Sequence, residues 1–244
     1  MSTFPSLVMI IRHGEKPGSP DGTDGGVDLS ILGSARAAAL PSLFTPGTAD
    51  GATGTPPQVT CGTALGQSGQ YTGTYGAVTV ATAPPCFPVP KFLFATEQPS
   101  PQQGSSQQRS QKRSAHKGSD SDSSNRPYET IVPLSEALPG APVYINNTFA
   151  NDDCKGVANE ILNVNPAKYA DQVVLIAWHH GKIPELVTDF QVPADELQKI
   201  GFSKWPATVF DVVLLITWPN GVPTLNIGYL QLLYGDTTAP TAGR

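Results

Sequence analysis

An apolar run, Leu7-Val8-Met9-Ile10-Ile11, stops abruptly at Arg12-His13-Gly14, and this junction constrains the chain more than any other stretch. An apolar run of that length bounded by a turn reads as a buried strand. Polar groups at the carboxyl end of a buried parallel strand stand where open α/β sheets bind their ligands. Arg12 supplies a fixed cation and His13 a nitrogen nucleophile. Gly14 lets the backbone come close to a bound group. The combination suits a site in which a phosphoryl group is held and attacked.

The arrangement occurs twice. Val173-Val174-Leu175-Ile176-Ala177-Trp178 is a second apolar run, and it ends in His179-His180-Gly181. The chain has four histidines, and three of them stand at the carboxyl ends of these two runs. Either site alone reads as a hydrogen-bonded core histidine. The pair favours a functional reading.

The rest of the chain fits strands alternating with helices, which implies a mostly parallel sheet covered on both faces. Ser30 reads as an N-cap for an alanine-rich helix reaching about Phe44. Lys91 to Thr96 reads as a strand, and Pro127 to Leu138 as a helix that Pro133 should kink or interrupt. A short strand is expected near Pro142 to Ile145, a helix over Asp152 to Leu162, and a helix over Ile183 to Asp189. Val209 to Trp218 and Thr224 to Leu232 read as neighbouring strands joined by Pro219-Asn220-Gly221, an antiparallel pair at a sheet edge.

At 244 residues the chain is expected to form a single domain spanning 1–244. Two insertions interrupt it, at about 45–90 and about 98–125. The second is rich in Ser and Gln and carries Arg109, Lys112, Arg113, His116 and Lys117. It reads as a surface loop, or as a basic flap over an anionic pocket. A net charge of −5 predicts no nucleic-acid partner. No run of about 18 apolar residues predicts a membrane span. The first residues lack a positive n-region and lead straight into the motif strand, so no signal peptide is expected and a cytoplasmic location is. The three cysteines, Cys61, Cys86 and Cys154, make no disulfide framework, although Cys61 and Cys86 can pair across an insertion. No Cys/His spacing resembles a zinc site.

Several separate segments resemble the histidine phosphatase superfamily, whose fold is that of the phosphoglycerate mutases. Ile10 to Pro17 (IIRHGEKP) is similar to the first motif, and Leu29 to Leu40 to the helix after it. Ser124 to Leu138 resembles the segment with the second arginine, and Leu175 to Leu186 the segment with the second histidine. Lys204 to Ile216 resembles the late Trp-Pro…Phe-Asp strand of a bacterial branch. The resemblance implies a three-layer α/β sandwich with a mostly parallel central sheet, and a phosphatase acting on a phosphorylated small molecule or phosphoprotein.

Carried over residue by residue, it implies that His13 attacks phosphorus and that Arg12, Arg126 and His180 hold the phosphate oxygens. Guanidinium groups suit this because they bind two oxygens in a planar fork. Gly14, Glu15, Lys16 and His179 would line the substrate. No metal or cofactor is implied. His13 needs an unprotonated attacking nitrogen, so its other nitrogen should bond a backbone carbonyl such as that of Gly14. Adjacent strand residues face opposite ways, and the pattern His-Gly selects His180 over His179.

A leaving alkoxide needs an acid. The expected candidates are Glu15, Asp152 and Asp153, with Glu15 alternatively paired to a cation and Asp152 alternatively a helix cap. The family's His-Asp version is absent because Lys182 follows Gly181. That favours substrates with good leaving groups, such as phosphohistidine or an acyl phosphate. Two further functions fit the same residues: a mutase-type phosphotransferase, and a non-catalytic phosphate- or phosphopeptide-binding module.

Overall fold

The computed structural model describes residues 3–18, 26–44, 87–99, 124–230, 232, 233 and 236. Most of the two expected insertions, together with Cys61 and Cys86, lies outside the described residues. Six strands form: β1 (Leu7–Arg12), β2 (Phe92–Thr96), β3 (Ile145–Phe149), β4 (Val173–Trp178), β5 (Val212–Thr217) and β6 (Thr224–Tyr229). They make one mixed sheet in the order β3-β2-β4-β1-β5-β6. The first four strands in that order run parallel. β5 lies antiparallel to β1, and β6 antiparallel to β5. The edge hairpin is the one expected, and its turn places Asn220 and Gly221 at φ 56° and 78°, where Asn and Gly are tolerated best.

The helices are α1 (Ile31–Ala39), α2 (Arg126–Ala137), α3 (Cys154–Asn159), α4 (Pro166–Tyr169), α5 (Ile183–Asp189) and α6 (Ala194–Lys199). Strand alternation divides their packing into two layers. Leu7, Met9 and Ile11 of β1 meet Leu40 beyond α1 and Ile131 and Leu134 of α2. Val8 and Ile10 point the other way, into Val157 of α3, Leu186 of α5 and Leu197 of α6. Both faces of the sheet are therefore covered, which is why β1 and β4 are apolar without interruption. Among the described residues no helix is long and apolar enough to cross a membrane.

Four local expectations need correction. Helix α2 runs unbroken through Pro133. The lost backbone hydrogen bond is offset by Ile131, Leu134 and Leu138, which are at most 2% exposed. β3 begins at Ile145 rather than ending there, because Asn146 and Asn147 hid its pattern. The N-cap of α3 is Asp153, not Asp152, with its side chain accepting the Gly156 N–H. The helix after Ser30 gives way at Leu40 to a tighter 3₁₀ turn, Leu40–Leu43. Ser30 itself caps α1 as expected, Oγ accepting the Gly33 N–H at 3.0 Å.

Candidate active site

β1 and β4 are hydrogen-bonded neighbours with Arg12 opposite Trp178, so their chains leave the sheet side by side. The His13 N–H continues the ladder, donating to the Trp178 carbonyl at 3.1 Å. His13 and His179 consequently stand at one level, ring centroids 5.0 Å apart and nearly perpendicular. His180 also faces His13, at 6.2 Å. The expectation that only one of the adjacent histidines reaches the site is corrected. Alternation holds only within the strand, which ends at Trp178, and the chain turns at His180.

His13 is 2% exposed, and its Nδ1 lies 2.6 Å from the Gly14 carbonyl oxygen. That oxygen can only accept, so Nδ1 carries the hydrogen and Nε2 keeps its lone pair. Burial holds the His13 pKa well below the usual histidine range, and His179 and Arg12 depress it further. Burial likewise pushes His179 down to about 3, aided by Arg126, His180 and Arg12. His180 is pushed down to about 4, by burial first and then by Arg12, Lys16 and Arg126. At neutral pH three uncharged imidazoles thus stand among cations.

The two arginines are anchored in the same manner. Arg12 Nη1 donates to the carbonyls of Ala207 at 2.7 Å, Val209 at 3.0 Å and Pro206 at 3.3 Å. Its guanidinium lies 3.6 Å from the centre of the Phe210 ring. Burial lowers its pKa to about 9 against the opposing pull of Glu15, which leaves it protonated at neutral pH. Arg126 opens α2, and its Nη1 donates to the Gly26 carbonyl at 2.8 Å. Its pKa is lowered as well, by burial before any neighbouring charge. In each arginine Nη1 is committed to backbone, while Nε is buried without a hydrogen-bond partner.

Eight buried side-chain polar atoms lack a partner among the described residues, and four belong to this cluster: Arg12 Nε, Arg126 Nε, His179 Nε2 and His180 Nδ1. Unsatisfied buried groups cost about 1–3 kcal/mol each, so four in one place call for a ligand that pairs them. The guanidinium groups present donors and carry positive charge. A compact oxyanion answers both demands.

Gly14 is tied to α2. Its N–H donates to Thr130 Oγ1 at 2.9 Å, and that hydroxyl donates to the Arg126 carbonyl at 2.7 Å. A Cβ on Gly14 would come within 3.0 Å of the Gly33 carbonyl oxygen and of Leu29 Cδ2. Close approach, not a special φ, is what requires glycine here. Residues 26–30 cross over α2 and fasten it: Asn125 N–H donates to the Val27 carbonyl, and Leu29 N–H donates to Glu129 Oε2 at 2.8 Å.

The three expected acids differ in their surroundings. Glu15 is 4% exposed, and both of its oxygens accept from Arg36, the shortest contact being 2.7 Å from Nη2. Arg36 also binds Asp236 through two bonds of 2.8 Å. Both oxygens of Glu15 are thereby engaged by Arg36, the alternative pairing to a cation that the sequence offered. Asp153 is occupied as the α3 cap, and Asp152 is exposed, its charge acting on Lys182. Lys16 is half-buried, with its charge acting on His180. One acid passed over in the sequence also acts on the cluster. Glu129 is held above the usual carboxyl range by burial, and its charge acts on Arg126.

Sequence reasoning also missed Thr130, Phe210 and the carbonyls that hold Arg12. Lys204 to Ile216 was the available signal, since this segment supplies every partner of Arg12 Nη1. A second group, Cys154, Glu185 and Asp189, brings ligand atoms within 4.8 Å of one another. Burial pushes the Cys154 thiol up to about 12, and Glu185 pairs with Lys182 at 2.8 Å, so this group is poorly suited to a cation.

No protein-family model matches the chain, and a search of curated proteins finds no match.

Proposed function

We propose that the protein is a phosphatase that cleaves a phosphomonoester through a phosphohistidine on His13 Nε2, without needing a metal or cofactor. One observation carries this reading. His13 Nδ1 is tied to the Gly14 carbonyl at 2.6 Å, and four unpartnered buried nitrogens belong to the two histidine rings facing it and the two arginines whose charges act on it. The parallel β1 and β4, each followed directly by histidine, support a phosphoglycerate-mutase-like fold of the histidine phosphatase type.

Phosphoryl transfer depends mainly on positioning and electrostatics. Arg12 and Arg126 would hold the phosphoryl oxygens on their Nε edges, and His179 and His180 would complete the cage. The Nε2 lone pair forms a bond to phosphorus as the bond from phosphorus to the leaving oxygen breaks. The leaving group departs as an anion or takes the proton of a monoanionic substrate. Water then attacks the phosphohistidine, the N–P bond breaks, and the water's proton goes to the released phosphate. Esters and anhydrides with good leaving groups suit this site best.

The test is hydrolysis of p-nitrophenyl phosphate and acetyl phosphate, with an acid-labile phosphoenzyme trapped by rapid quench. His13→Ala should abolish both signals. Turnover that survives His13→Ala overturns the assignment. A second reading is favoured by the locked Glu15: a phosphate-ester-binding module without turnover. Calorimetry that finds tight binding of a phosphopeptide or phosphate ester, with no product formed, selects that reading instead.

A further inference from the structure

Thr130 lies within the segment that resembles the second-arginine motif, yet neither that resemblance nor the cage gives it a role. Its side chain is 2% exposed and stands at the fifth residue of α2, one turn after Arg126. Starting from His13, four hydrogen bonds are linked in series through the backbone of Gly14 and through Arg126. His13 Nδ1–H donates to the Gly14 carbonyl at 2.6 Å. Gly14 N–H donates to Thr130 Oγ1 at 2.9 Å. Thr130 Oγ1–H donates to the Arg126 carbonyl at 2.7 Å. Arg126 Nη1 then donates to the Gly26 carbonyl at 2.8 Å.

We infer that Thr130 is a positioning residue that couples the ring tautomer of His13 to the placement of Arg126 through the two faces of its hydroxyl. A hydroxyl is the one small group that can accept from Gly14 and donate to Arg126 at once. Gly14 has no side chain to restrict its torsions, so the bond to Thr130, by fixing the His13–Gly14 peptide plane, anchors the backbone from which the Gly14 carbonyl projects towards the ring. That carbonyl in turn decides which nitrogen of His13 carries the hydrogen. A threonine in mid-helix ordinarily bonds only its own helix, four residues back. Here the same hydroxyl also reaches across to the loop that carries the nucleophile, 116 residues away in sequence.

Without this bridge the nucleophile on β1 and the guanidinium on α2 would be placed independently. Errors of about 1 Å in such placements cost about 100-fold in rate. The catalytic consequence rests on the phosphatase reading; the coupling itself does not.

Four variants test the proposal: Thr130→Val, Thr130→Ser, Thr130→Ala and, as reference, His13→Asn. In protein labelled with ¹⁵N-histidine, the unmodified chain should show His13 as a single Nδ1–H tautomer, identified by its loss in His13→Asn. Thr130→Val should convert that pattern to a mixture, lower kcat on p-nitrophenyl phosphate at least tenfold, and weaken binding of orthovanadate. Thr130→Ser keeps the hydroxyl and should restore all three. If Thr130→Val does not fold, the comparison passes to Ser against Ala, both of which lack the γ-methyl and differ in the hydroxyl.

An unchanged His13 tautomer in the hydroxyl-free variants overturns the proposal, whatever their stability. A protein that shows the tautomer change and weaker vanadate binding, yet turns over no phosphoester even unmodified, retains the coupling and loses the phosphatase reading.

Discussion

Arg12 and Arg126 differ in how far they are committed. Arg12 is 3% exposed, stacked on Phe210 and held by three carbonyls, whereas Arg126 is half-buried and held by one. Arg12 is therefore the fixed wall of the cage and Arg126 its adjustable one. The neutral imidazoles beside them have a consequence for stability. In the unfolded chain histidines titrate near 6.5, while His180 in the fold is held near 4 and His179 near 3. Between those values the unfolded chain takes up protons that the fold refuses. This stability is complete above about pH 6.5 and is lost as pH falls, the share of His180 through about 4 and that of His179 through about 3. The melting temperature should drop through that window. Replacing His179 and His180 together by Asn should flatten the drop, and so should saturating orthovanadate, because a bound anion favours the charged rings. A melting temperature indifferent to pH over this range would count against the burial of these rings.

At the scale of elements, α1 supports the motif loop through a gap where a side chain would otherwise be. Gly33 lies against the Glu15 backbone, and an added Cβ would clash with the Glu15 carbonyl and come within 2.8 Å of its nitrogen. Alanine inside a helix ordinarily gains about 1 kcal/mol over glycine. Here Gly33→Ala should instead destabilise by about 1–3 kcal/mol, because its new neighbours are backbone and cannot move aside cheaply. Urea unfolding measures the change, and a stabilised variant would show that the loop yields. The elements that could be read from sequence were those with a purely local signature. β1 and β4 announce themselves as unbroken apolar runs, and Ser30 as a cap. β3 escaped because Ile145-Asn146-Asn147-Thr148-Phe149 carries little hydrophobic alternation. The site divides the same way. Arg12 and His13 stood out by position on a strand, and Arg126 and His180 through the resemblance. The placement of His179 did not, because the chain leaves the sheet before the rule of alternate faces applies. Nor did the three carbonyls on Arg12, since backbone acceptors have no residue signature.

Among the described residues, one buried ion cluster ties distant parts of the chain together. Arg36 joins Glu15 from the motif loop to Asp236, 200 residues further along the chain than itself, and all three side chains are under a tenth exposed. Against the cost of burial, the bonds to Asp236 and Glu15 hold the guanidinium pKa above its ordinary value. Removing one partner of such a cluster leaves charge buried and unpaired, at a cost of about 3–5 kcal/mol. Arg36→Met should lose stability of that order in denaturant titration and slow any turnover as well, since Glu15 directly follows Gly14. A variant as stable as the parent would mean that solvent reaches the two abandoned carboxylates. Asp236 also accepts the N–H groups of Leu232 and Leu233, so it folds its own stretch of chain while gripping Arg36. A protease that clipped the chain just ahead of residue 236 would thus unlatch the loop bearing His13 from more than two hundred residues away, so a cut far along the chain would act as sabotage at the centre.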